Sequence, residues 1–234
     1  MMKSARGRLI AGVAVLALVV GAIGIRQWQV ASSNERNCAA VSGWLETRGD
    51  FAVAGVGGKR VAVLGDSYTA GEKLQDRSAG WVFDLAHDQG WTLYADGIGN
   101  TGFTGEGFCG GQAFSSRTGP ILDLAPELAI VQGGLNDTAA NSADVEAAAS
   151  ALLEDLKSVH DVVLVGPVRA PARQGIETVD SALATAAGHH GRRYVSALDW
   201  DLPFLPDNLH LTEDGHARYA KLLAARLTSE QVSQ

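Results

Sequence analysis

Three short polar clusters hold the residue types that acyl-transfer chemistry requires: Gly65-Asp66-Ser67-Tyr68, Gly134-Leu135-Asn136-Asp137 and Asp207-Asn208-Leu209-His210. Serine, histidine and aspartate can supply a nucleophile, a general base and a group that orients the base. Asn136 and backbone N–H groups could hold a developing oxyanion. Each cluster alone is weak, since a Gly-Asp-Ser turn or an Asx turn needs no chemistry to explain it. Together they carry more weight, because all three follow apolar segments in an order that one sheet edge can gather into a single site. Of the six histidines, His87, His160 and His216 read as solvated helix residues, and His189-His190 before Gly191 as a helix end and not a metal site.

The elements that must position these clusters are legible from about residue 59. Arg60–Leu64 reads as a buried strand, Trp81–Gln89 as a helix and Trp91–Tyr94 as a second strand. Leu128–Gln132 is a third strand, Asp144–His160 an Ala/Leu-rich helix, and Val162–Val165 a fourth strand. Glu177–Ala187 is helical, Arg193–Ala197 is a weaker fifth strand, and Thr212 caps a closing helix over Glu213–Leu227. This alternation predicts an α/β fold of three layers, αβα, around a five-stranded parallel sheet.

The remaining sequence limits where such a domain works. The 234 residues carry 19 Lys+Arg and 26 Asp+Glu. Lys3, Arg6, Arg8 and Arg26 lie in an acid-free stretch of 32 residues, so the remainder has 15 bases against 26 acids, or −11. An acidic body of that kind repels phosphate backbones, which disfavours nucleic-acid binding. The uncharged run LIAGVAVLALVVGAIGI, residues 9–25, has the basic flank of an export signal and the minimum length of a spanning helix. No Ala-x-Ala follows it, and Arg26 and Trp28 resemble an interfacial stop, so retention as a membrane anchor is favoured over secretion after cleavage. The expected organisation is an anchor over 1–32, a stem over 33–58, the domain over 59–228 and a tail over 229–234, with the chain acting as a monomer. Cys38 and Cys109 are the only cysteines, and an oxidising compartment would let them pair.

The three clusters resemble the first, third and fifth blocks of the SGNH (GDSL-type) hydrolases, over residues 60–225. That resemblance implies a flavodoxin-like hydrolase fold. It also implies that Ser67 is the nucleophile, His210 the base and then the acid, Asp207 its orienter, and Asn136 an oxyanion donor beside the Ser67 N–H. The family's second block departs here: aligned through Thr101-Gly102-Phe103, the position of its oxyanion glycine is held by Asn100. Asn tolerates the left-handed conformation, so the Asn100 N–H is the expected donor and the Gly99 N–H the second choice. Gly97-Ile98-Gly99-Asn100-Thr101-Gly102 matches a dinucleotide fingerprint in letters, but the glycine-rich residues that follow cannot open a helix. Ser67 also lacks the G-x-S-x-G context of α/β-hydrolases.

The expectation is an extracytoplasmic serine esterase needing neither cofactor nor metal and acting on an acylated small molecule, glycan or lipid. An O-acyltransferase using the same site, and a glycan-binding module that lost activity, are the alternatives. Trp81, Phe103 and Phe108 are candidates to pack against a sugar or acyl chain, with core packing at least as strong a reading for Trp81.

Overall fold

Arg60–Gly65 (β2), Leu128–Gln132 (β4) and Asp161–Val165 (β5) are almost continuous runs of aliphatic residues, and strands of that kind must be covered on both faces. The computed structural model describes residues 3–229, with side chains over 20–228. It places these strands in a six-stranded sheet of order β1-β3-β2-β4-β5-β6, where β1 is Ala52–Ala54, β3 is Thr92–Gly97 and β6 is Arg193–Val195. Five strands are parallel, and β1 pairs antiparallel with β3 at the edge. The expected five-stranded parallel sheet is therefore extended by one short strand out of the stem. Three residues show no alternation, which is why the sequence pattern did not reveal β1. The return into β2 is made by Gly55, Gly57 and Gly58, all at positive φ.

One apolar layer puts Val61 and Val63 of β2 and Ile130 of β4 against Trp81–Gln89 (α2) and Glu213–Ser229 (α6). The other puts Ala62, Leu64 and Val131 against Thr118–Asp123 (α3), Ser142–Asp155 (α4) and Ile176–His189 (α5). Helix starts follow local chemistry: Asn141 accepts from Ala143 N–H at the head of α4, and Thr212 Oγ1 accepts from Gly215 N–H at the head of α6.

The chain passes from β2 to β3 on one side and then crosses back to β4 on the other. The loops after β2 and β4 consequently diverge at the carboxyl edge, where open sheets leave a crevice. Ser67 and Asn136 stand on those two loops.

The N-terminal element is a helix, Lys3–Arg48 (α1), which runs without a break through most of the segment read as a stem. Most of the apolar run 9–25 lies outside the described side chains, and the expected anchor and signal fall largely on it. Among the described residues no helix is long and apolar enough to cross a membrane. The end of the expected tail, 230–234, lies outside the described residues as well.

Candidate active site

Asp66 follows β2 and shapes the turn after it: its Oδ1 accepts from Tyr68 N–H at 2.9 Å and its carbonyl accepts from Ala70 N–H. Ser67 is held at the mouth of this turn. Thr69 Oγ1 donates to Gln132 Oε1 at 2.8 Å, fixing the turn to the end of β4, and Tyr68 Oη donates to Leu209 O at 2.5 Å, fixing it to the Asp207–His210 loop. Asp66 is fully buried with Oδ2 unpartnered, and burial raises its pKa to about 7.

The Asp207–His210 loop is organised by one carboxylate. Asp207 Oδ1 accepts from the N–H groups of Leu209 and His210, while Oδ2 lies 2.7 Å from His210 Nδ1. Desolvation pushes the Asp207 pKa up, but the His210 ring and the two N–H groups outweigh it and lower it to about 2. A bond through Nδ1 leaves Nε2 of His210 for the cleft. Ser67 and His210 line one cleft of about 330 Å³ together with Gly99, Asn100 and Asn136. Among the described hydrogen bonds none joins the Ser67 and His210 side chains.

Asn100 has φ 61°, a left-handed conformation that asparagine tolerates better than most residues. Gly99 is pressed by the Glu72 carboxylate, which lies 2.0 Å from where a Cβ would stand. Asn136 Nδ2 donates to Thr101 O at 2.9 Å and so ties the β4 loop to the loop after β3. The structure thus gathers Ser67, Asn100, Asn136, His210 and, behind it, Asp207 into one place.

Several groups that build the site were not singled out from sequence. Asp137 is fully buried and accepts from Phe103 N–H, Thr104 N–H and Oγ1, and Gly105 N–H, which fixes the loop after Asn100. Gly102 permits this, because a Cβ there would meet the Asp137 carboxylate at 2.4 Å. Arg117 is buried and reaches Gly65 O, Asp96 O and Thr101 Oγ1; its guanidinium shares the Asp96 carboxylate with Arg48 of α1. The acid in Asp96-Gly97 at a strand end was the available signal, but its two partners lie 48 residues before it and 21 after it.

Helix α1 closes one side of the cleft with Asn37, Val41 and Trp44. Trp44 lies between the guanidiniums of Arg77, 4.1 Å from its centroid, and Arg48, at 4.8 Å. Cys38 of α1 and Cys109 form a disulfide beside Phe108, which lines the cleft. The expected pairing is present.

Three expectations are corrected. Trp81 and Phe103 are core residues, 0% and 3% exposed, and Phe103 packs on Phe114; only Phe108 of the three aromatic candidates faces the cleft. His216 is not solvated: it is 1% exposed, accepts from Trp81 N–H through Nδ1, and burial lowers its pKa to about 4. His160 is exposed as expected, but it follows the helix and is not part of it. Among the described residues no group of three or more His, Cys, Asp or Glu side chains could hold a metal ion.

Solved structures share this fold at low identity. An aryl esterase of M. smegmatis superposes with TM-score 0.58 at 19% identity, over 74% of this chain and 99% of that one. A carbohydrate acetylesterase of Sinorhizobium meliloti gives 0.59 at 16% identity, over 74% and 99%. The salicylyl-acyltransferase SsfX3 of a tetracycline biosynthetic pathway gives 0.58 at 16%, over 76% of this chain and 56% of that one. A search of curated protein sequences gave no match. The model of the GDSL-like lipase/acylhydrolase family matches residues 63–218, two thirds of the sequence, with Ser67, Asn136 and the Asp207–His210 loop all inside the match. By that match the chain belongs to the GDSL-like lipase/acylhydrolase family and is by class a carboxylic ester hydrolase.

Proposed function

We propose that the protein is an extracytoplasmic serine esterase that removes O-acyl groups by a two-step acyl transfer. Ser67 Oγ attacks the ester carbonyl while His210 Nε2 takes its proton, and the same proton passes to the departing alkoxide. Water then adds to the acyl-Ser67 ester with His210 again as base, releasing the acid and restoring the serine. Asp207 holds the Nδ1–H tautomer and stabilises the imidazolium between these steps. The oxyanion is received by the N–H groups of Ser67 and Asn100 and by Asn136 Nδ2. The observation that carries the reading is the 2.7 Å His210–Asp207 contact beside Ser67 in a cleft that Asn100 and Asn136 also line. A fold shared with an aryl esterase, a carbohydrate acetylesterase and an acyltransferase is consistent with it.

The location follows from chemistry. A disulfide linking Cys38 to Cys109 persists in an oxidising compartment. The run 9–25 behind three basic residues supplies export and, retained, an anchor that is the first part of α1.

The test is covalent labelling of the full chain with a fluorophosphonate probe, alongside hydrolysis of 4-nitrophenyl acetate. Wild type should be labelled. Ser67→Ala and His210→Ala should each lose at least a hundredfold in kcat with unchanged thermal unfolding, and Asp207→Ala should lose less. Retention of more than about a tenth of wild-type kcat by either of the first two would refute the assignment.

A further inference from the structure

The charges around the cleft run against those of the molecule. Beyond residue 32 the chain is acidic by 11 charges, yet Lys73, Arg77 and Arg173 all line the cleft that holds Ser67. Elsewhere Arg48, Arg117, Arg169, Arg193 and Arg218 each have a carboxylate within ion-pair distance, and Arg60 and Arg192 direct their guanidiniums to backbone carbonyls. Among the described residues Lys73, Arg77 and Arg173 have no such carboxylate.

Their positions are built. Arg173 is half-buried on the loop before α5; its Nε donates to Leu135 O, and the adjoining Ala172 N–H donates to Asn208 O. The guanidinium is thereby pinned between the Asn136 and His210 loops with both Nη groups uncommitted among the described hydrogen bonds. Arg77 is half-buried across the cleft's α1 side, stacked on Trp44 with one Nη on Ala70 O. Lys73 is held at φ 72°, a conformation that costs a lysine energy and recurs at ligand clamps. One carboxylate lines the cleft with them, Glu72, laid over Gly99, and Asp207 lies behind His210, engaged by its ring. The excess is positive, in a partly enclosed space where a charge-assisted hydrogen bond gains strength.

We propose that the ester substrate carries an anionic group, carboxylate or phosphate, on its alcohol portion, and that Arg173 with Lys73 and Arg77 selects it. The proposal rests on the esterase reading for its catalytic consequence and on the cleft alone for binding. Planar guanidiniums favour bidentate oxyanions, so acylated acidic sugars or sugar phosphates fit where neutral esters leave the cations without partners.

The experiment compares kcat/KM for acetylated methyl glucuronoside, acetylated glucose 1-phosphate and acetylated methyl glucoside at low and high sodium chloride. At least one anionic ester should exceed the neutral one by about tenfold, and the advantage should shrink as salt rises. The preferred anion distinguishes carboxylate from phosphate. Arg173→Gln should bring the anionic-to-neutral ratio toward one, Arg173→Lys should restore part of it, and Arg218→Gln on α6 should leave it as in wild type. A ratio near one in wild type, or a loss in Arg173→Gln that strikes neutral and anionic esters alike, overturns the proposal. Calorimetric binding of methyl glucuronoside, glucose 1-phosphate and methyl glucoside to the Ser67→Ala protein reads the same selectivity without turnover. Equal affinities for all three overturn the anion site even where the probe labels Ser67, and preferential anion binding without labelling overturns the esterase reading instead.

Discussion

Two asparagines carry different parts of the proposed oxyanion site, and substitution separates them. Asn136 contributes a side-chain amide, one N–H of which is engaged by Thr101 O. Asn136→Ala removes a donor aimed at charge that develops only in the transition state, so kcat should fall about 10²–10³-fold with KM little changed. Asn100 contributes its backbone, already in the left-handed region at φ 61°. Asn100→Gly keeps the N–H and relaxes the conformation, and should retain most of kcat. Asn100→Pro deletes the donor and forces φ near −65°, and should be nearly inactive. A fall in Asn100→Gly as deep as in Asn136→Ala would assign the function to the Asn100 side chain and break the alignment of this loop. Ser67 and Asn136 were legible because each stands a few residues beyond a strongly apolar strand, β2 or β4, and His210 because Asp207-Asn208-Leu209-His210 sits just before the helix capped by Thr212. Asp137 was not singled out although it adjoins Asn136. Its role depends on four donors at Phe103–Gly105, and no local pattern in the sequence encodes a contact across 32 to 34 residues.

At the scale of elements, α1 belongs to the catalytic body and not to a passive tether. Its last turns bury Arg48 on Asp96, place Trp44 under Arg77 and bond Cys38 to Cys109. Residues 63–218 match the family, so this wall of the cleft comes from sequence outside the match. Hydropathy reads the first part of α1 as an anchor, but the polar stretch after Trp28 has no period that announces a helix packed on one side. The cross-link spans a sequence separation of 71, and in the chain-entropy model a loop of that length contributes roughly 4 kcal/mol. Cys38→Ser should therefore lower Tm by roughly 10 °C, and the natively produced wild type should take up no alkylating reagent before reduction. It should also raise KM more than it lowers kcat, since Ser67 and His210 are held by Tyr68 and Asp207 and not by α1. Rapid alkylation of Cys109 in unreduced protein, or a Tm in Cys38→Ser equal to that of wild type, would count against a structural bridge.

At the scale of the molecule, two buried groups, Asp66 and His216, make opposite demands on protons. Asp66, beside Ser67, has its pKa raised to about 7 by burial from an ordinary 3.8. Between those values the folded state holds a proton that the unfolded state has lost, so Asp66 makes stability fall as pH rises. His216 on α6, under Tyr68 and Trp81, has its pKa lowered to about 4 from 6.5. Over that interval the unfolded state gains a proton that the folded state refuses, so His216 makes stability rise with pH. From about pH 4 to 6.5 the two slopes oppose, each near 1.4 kcal/mol per pH unit at full strength, and wild-type stability should be nearly level in their sum. Relative to wild type, Asp66→Asn should stabilise progressively with rising pH across that window, while His216→Asn should do the reverse. Urea unfolding at half-unit steps from pH 4 to 7 measures both differences. Parallel wild-type and Asp66→Asn curves would mean that Asp66 is ionised in the fold, with a partner for its Oδ2, and the buried proton beside Ser67 would have to be given up.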